Sequence, residues 1–141
     1  MIDRAILYCL KNRQLVKFLL VLATLTTLFF TMLPPEQLGD SRLYNYDKIG
    51  HFLIFFGWTL LFGLLVFTQK QTETKLILIF LAGSVFGVSI EVLQELLPIG
   101  RTMDVWDAFV DICGSTVAIV MLFWIKRRYL SIEVSKQLKK I

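Results

Sequence analysis

The side chains of this chain that can do chemistry are few and fall in three groups. Asp47, Lys48 and His51 form the first; Glu91, Gln94 and Arg101 the second; Asp104, Asp107 and Asp111 the third. A carboxylate beside a histidine is acid–base equipment: Asp47 would orient His51 as a general base, with Glu91 as a further catalytic carboxyl, if the chain is an enzyme. Asp104, Asp107 and Asp111 offer hard oxygen ligands suited to a divalent cation such as Mg²⁺. Lys48 and Arg101 suit a phosphate or carboxylate. Asp and Glu side chains suit sugar hydroxyls and amines, and Gln94 joins the candidate binding residues. His51 is the single histidine, which weighs against zinc even though zinc accepts carboxylates. Cys9 and Cys113 share no short motif, so neither a metal knuckle nor a disulfide between them is expected.

The elements that must position these residues are hydrophobic. Of 141 residues, 56% are hydrophobic and 12 are Phe, which leaves too little polar surface for a soluble domain of this size. Four apolar runs stand out, over residues 15–33, 49–67, 76–97 and 105–125. Each is near the roughly 20 residues needed to cross a hydrocarbon core. Pro34-Pro35 ends the first, Pro98 stops the third, and Lys126-Arg127-Arg128 follows the fourth. The expected architecture is an all-α, four-transmembrane-helix bundle forming one domain over residues 1–141. The first span should be retained, because Met32-Leu33-Pro34 offers no small-x-small cleavage site.

Lys and Arg set the orientation. The N-terminal segment, the loop after span two and the C-terminal tail carry twelve of the fifteen, and the opposite side carries only Arg42, Lys48 and Arg101. The positive-inside rule puts both termini in the cytoplasm. Tyr44, Tyr46 and Trp106 then fit the outer aromatic belt and Trp124 the inner one. No basic groove interleaves with aromatics, so nucleic acid is not an expected partner.

With that topology all nine polar residues fall at the outer ends of the spans. A charge inside a bilayer costs at least about 2.5–3.5 kcal/mol on insertion scales, so such residues are functional candidates by default. At about 100° per residue, Asp104, Asp107 and Asp111 share one helix face, with Asp111 about 10 Å deeper than Asp104. Gly114 and Ser115 continue that stripe inward. Asp47 and His51 stand at i, i+4, in reach of a hydrogen bond. Gly83 and Gly87 make a G-x-x-x-G spacing that allows close helix approach, within one chain or between copies in a homo-oligomer. A plainer reading exists for part of the set. Carboxylates in a first turn complement the helix dipole, and Thr102 or Asp104 could cap the fourth helix. Arg101, between two carboxylate groups, is expected to pair with one, and Lys48 could snorkel outward. Five carboxylates against two cations leave a net charge of −3. Near low dielectric that excess calls for bound protons, a divalent cation or a cationic ligand.

Four pieces of this pattern, in order, resemble the VanZ-like family of bacterial membrane proteins. They are Asp47-Lys48-Ile49-Gly50-His51-Phe52 for D-K-x-x-H-F, Glu91-Val92-Leu93-Gln94 for E-x-x-Q, and Gly100 to Asp107 for G-R-x-x-D-x-x-D. The fourth is Asp111 to Gly114 where the family has N-x-x-G. Asp111 replaces the usual Asn and adds a carboxylate. The resemblance implies a multi-pass protein of the bacterial cytoplasmic membrane, with a cell-envelope role that includes resistance to glycopeptide antibiotics of the teicoplanin type. An acyl-phosphate enzyme activity has also been attached to the family, but an outward-facing membrane site gives that cytosolic chemistry no physical support.

Two functions are therefore expected in competition. One is a binding site for the head group of a membrane lipid, a lipid-linked envelope precursor or an amphiphile. The other is a metal-dependent enzyme acting on phospholipid or polyprenyl-phosphate head groups. A proton or ion path is disfavoured by the apolar inner halves of the spans.

Overall fold

Long apolar runs without internal proline close every backbone hydrogen bond within their own segment, the arrangement a bilayer demands. A computed structural model describes residues 8, 12–32, 47–70, 74–98 and 100–138. Among them the structure is all-α, with four long helices: α1 (Arg13–Met32), α2 (Asp47–Lys70), α3 (Leu76–Leu96) and α4 (Val105–Leu138). All four are long and apolar enough to cross a membrane. Pro34-Pro35, Tyr44, Tyr46 and Cys9 lie outside the described residues. Cys113, in α4, carries a free thiol.

The helix limits follow local chemistry. Pro98 disfavours helical backbone at Leu97, and α3 stops at Leu96 with Leu97 extended. Gly100 then takes a left-handed φ of +72° in the turn toward α4, a conformation that costs most other residues. Asp104 starts α4 as its cap, accepting the Trp106 N–H on Oδ1 at 2.8 Å. The expected fourth span ended at residue 125, but the helix continues to Leu138. Lys126, Arg127 and Arg128 end the apolar run, yet Lys and Arg are good helix formers. The charge marks the edge of the apolar span without stopping the helix.

Burial runs opposite to that of a soluble protein. Phe18, Leu25, Phe29, Leu53, Ile77, Val85, Val105, Trp106 and Val120 are exposed, while Thr59, Glu91, Gln94, Asp107, Asp111 and Ser115 are buried. An apolar exterior around a polar interior fits lipid as the surrounding solvent.

The bundle is organised around α2 and α4, which share its largest interface. Small residues set their separation. A side chain at Gly114 would meet the backbone oxygen of Phe52 at 2.5 Å. One at Gly83 would overlap Thr59 Oγ1, and one at Gly87 would meet the Asp111 side chain at 2.9 Å. The Gly83 and Gly87 contacts therefore lie inside one chain, joining α3 to α2 and α4. Thr59 and Ser115 share a hydrogen bond of 3.0 Å in the same layer. Below the polar cluster an aromatic stack closes the interior: His51 over Phe55, Phe55 against Phe86, and Phe86 on Trp58 at 4.5 Å. Trp58 Nε1 donates to Thr24 Oγ1 at 2.9 Å and ties α1 to α2. At the far end Lys126 Nζ donates to the Thr74 carbonyl at 3.0 Å, and Phe67 meets Tyr129 edge-on.

Candidate functional site

Three helix ends and one turn build the site. The first two turns of α2 supply Asp47, Lys48 and His51. The last turns of α3 supply Glu91 and Gln94. The turn supplies Arg101 and Asp104, and the start of α4 supplies Asp107 and Asp111. All nine sequence-expected residues lie at this one end of the bundle.

The exposure of the aspartate side chains falls along α4, from 44% at Asp104 through 9% at Asp107 to zero at Asp111. The difference in depth expected from helical spacing is thus a real gradient of access, a funnel that narrows from Asp104 to Asp111. At its mouth Lys48 Nζ bridges Asp104 Oδ2 at 3.2 Å and Asp107 Oδ1 at 2.8 Å. Lys48 does not snorkel away from the cluster. An ion pair this exposed is worth about 0–1 kcal/mol, so its effect is to place a cation at the entrance. The Trp106 N–H, and then the Lys48 ammonium, hold the Asp104 carboxyl below the usual aspartate value.

Deeper, His51 stands among carboxylates. Its Nδ1 is 3.0 Å from Asp111 Oδ1 and 3.6 Å from Glu91 Oε1. Its Nε2 faces Asp107 Oδ2 at 4.0 Å, too far for a hydrogen bond. The partner of His51 is thus Asp111, and the expected Asp47–His51 hydrogen bond is not formed. A pairing one turn apart on the same helix gives way to a tertiary one, because α4 lies against α2 here.

Glu91 is fully buried. Its Oε2 accepts the Asp104 N–H at 3.2 Å. The Gln94 amide, oriented to satisfy both neighbours, donates to the same oxygen at 3.2 Å and accepts from Arg101 Nη1 at 2.8 Å. Arg101 accordingly meets an amide where a carboxylate was expected, and among the described residues it makes no ion pair. Its Nε is buried without an acceptor. Glu95 accepts the Met103 N–H at 2.8 Å and holds the turn in place.

Two sets of ligand atoms converge within 4.8 Å: Asp47 with His51 and Asp107, and His51 with Glu91 and Asp111. Asp104, Asp107 and Asp111, expected together from spacing as a cation site, do not form one such set: Asp107 belongs to the first, Asp111 to the second, and Asp104 to neither. Lys48 occupies Asp104, and Asp111 turns its Oδ1 to His51. Spacing alone also missed the Thr59–Ser115 hydrogen bond beneath the site. Hydroxyls inside apolar runs carry little signal, although Ser115 lay on the Asp111 stripe.

An apolar helical bundle with a buried ionisable cluster at one end defines a multi-pass membrane protein with a site at one end of its spans. The family model described as VanZ/LLP1 matches residues 5–126, and the chain belongs to that family. Neither the curated proteins nor the solved structures hold a match to it.

Proposed function

We propose that the funnel binds the polar head group of a lipid-linked or amphiphilic envelope molecule, from the outer face of the bacterial cytoplasmic membrane. The charge asymmetry of the flanks supports the outward orientation and cytoplasmic termini. The observation that carries the binding reading is unused donor capacity beside a graded entrance. Lys48 has three N–H groups and bonds two carboxylates with them, and Arg101 Nε has no acceptor. Lys48 can therefore donate to a phosphate or carboxylate of the ligand without first losing its present partners, and Arg101 would do so through guanidinium N–H groups other than the buried Nε. Hydroxyls and amines of the same head group would meet Asp104 and Asp107. Sequestering such molecules, or shielding them from an amphiphilic antibiotic, would produce the glycopeptide resistance that the family resemblance implies.

Mass spectrometry of lipids retained by the purified protein tests this. The wild-type chain should carry a defined phospholipid or polyprenyl-phosphate species, which Lys48→Gln with Arg101→Gln should lose. Equal retention of bulk lipid by both proteins would sink the reading.

A second reading is an enzyme acting on the same head groups. It is favoured by the His51–Asp111 contact, which would hold the ring with Nε2 free to act as a general base. Asp111 takes here the orienting part first given to Asp47. Turnover of a phospholipid or polyprenyl phosphate that disappears in His51→Ala would select this reading over pure binding.

A further inference from the structure

We propose that His51, Glu91 and Asp111 form a binding site for a first-row divalent metal ion of the zinc or manganese class, at the floor of the funnel. The inference is independent of the head-group reading. The metal would be held by the protein's own side chains whether or not a lipid is present.

The spacing is that of a ligand set. Around zinc, ligand atoms at about 2.0–2.1 Å in a tetrahedron are about 3.3 Å from one another. The His51 Nδ1 distances of 3.0 Å to Asp111 Oδ1 and 3.6 Å to Glu91 Oε1 bracket that value. An imidazole in the set favours zinc over magnesium and calcium, which prefer oxygen alone, and the two carboxylates also suit manganese. Three protein ligands leave a fourth position for water or for an oxygen of a bound molecule.

Such an ion would balance the charges here. Glu91 and Asp111 have no solvent exposure, and among the described residues neither forms an ion pair with Lys or Arg. Lys48 is engaged by Asp104 and Asp107, and Arg101 by Gln94. A divalent cation would neutralise the two carboxylates and leave His51 as a neutral ligand.

A separate observation points the same way. Asp111 Oδ2 is fully buried and, among the described residues, has no hydrogen-bond partner. An orphaned carboxylate oxygen at this depth is costly unless something positive meets the group. The surroundings are also ordered for ligation. Both donors to Glu91, the Asp104 N–H and the Gln94 amide, go to Oε2 and leave Oε1 facing His51. Partners of this kind orient metal ligands from outside.

The test is metal analysis of the full-length protein in nanodiscs by inductively coupled plasma mass spectrometry, followed by titration of chelator-treated protein with zinc, manganese, magnesium and calcium chlorides. The expected result is about one zinc or manganese ion per chain, at micromolar affinity or tighter, with no comparable uptake of magnesium or calcium. Asp111→Asn and Glu91→Gln keep side-chain volume and should lose the ion. Glu95→Gln, outside the set, should keep it. Gln94→Leu should weaken binding about 10–100-fold. Cobalt(II) uptake read by its visible absorption bands gives a second measurement, and size-exclusion profiles confirm that the variants fold. Protein that takes up neither zinc nor manganese, or whose affinity is unchanged in both carboxylate variants, would overturn the site. Protons shared within the cluster would then balance the charge.

Discussion

Gly114→Ala should damage both the fold and the site, and the size of the effect can be worked from one contact. A Cβ built at Gly114 lies 2.5 Å from the Phe52 carbonyl oxygen and 3.0 Å from the Phe56 nitrogen. Ordinary contact begins near 3.4 Å, so α2 and α4 must separate by about 0.9 Å. Both obstacles are backbone and cannot rotate away. Overpacking of this kind costs about 1–3 kcal/mol, and the upper half of that range is expected here. His51 precedes Phe52 by one residue, and Asp111 lies one turn before Gly114. The same separation would stretch the 3.0 Å His51–Asp111 contact to about 3.9 Å, beyond a hydrogen bond. Gly57→Ala is the control, because nothing lies within 4 Å of its built Cβ; it should be neutral or stabilising by about 0.5–1 kcal/mol. Steric-trapping measurements of unfolding in nanodiscs read the stability. A double-mutant cycle between His51→Ala and Asp111→Ala, repeated with Gly114→Ala, reads the contact. If Gly114→Ala is as stable as Gly57→Ala and the coupling is undiminished, the close approach of α2 and α4 is not what builds the site.

Other outcomes follow from single contacts. Thr59→Val and Ser115→Ala should show a coupling of about 0.6 kcal/mol, and no more than about 1.7, in a double-mutant cycle of unfolding; additive effects would show that the 3.0 Å hydrogen bond contributes nothing. Asp104→Ala should cost about 1 kcal/mol through loss of the α4 cap, whereas Asp104→Asn should retain the cap, and equal unfolding free energies for the two would refute the capping role. Because its partners lower the folded-state value of Asp104, its carboxylate contributes full stability above the unfolded value of about 3.9 and loses it as pH falls through the lower folded value. Asp104→Asn should therefore flatten the acid end of the stability–pH curve. In a chain with Cys9 and Cys113 replaced by Ala, cysteines at Lys48 and Met103 should react with an impermeant maleimide on intact cells, and one at Arg127 only after permeabilisation. The reverse pattern would invert the topology. Position 91 is a poor probe because Glu91 is fully buried.

Much of the architecture was legible because hydrophobic runs and prolines act locally. Leu76 and Pro98 delimit α3 to within a residue. The convergence of the polar groups was legible from topology, since three separate helix ends on one side of a membrane have few other places to meet. Individual partners were less legible. His51 could reach Asp47 on its own helix, and nothing in the spacing says that α4 brings Asp111 closer. Arg101 lay between carboxylates in the sequence, but the turn directs it to Gln94. The length of α4 was hidden because hydropathy reports the edge of the apolar span while helix propensity ignores it. The glycines signalled close packing, yet whether within a chain or between chains depended on which faces met.

The contact at Gly114 has a mechanical consequence. α4 is one helix from Val105 to Leu138, and at Gly114 it lies directly against the α2 backbone of Phe52 and Phe56. From that point one arm runs about 14 Å to the rim of the funnel and the other about 36 Å to the basic end. As a rigid rod pivoting there, α4 would carry any small rocking at the site to the far side of the membrane enlarged between two- and threefold.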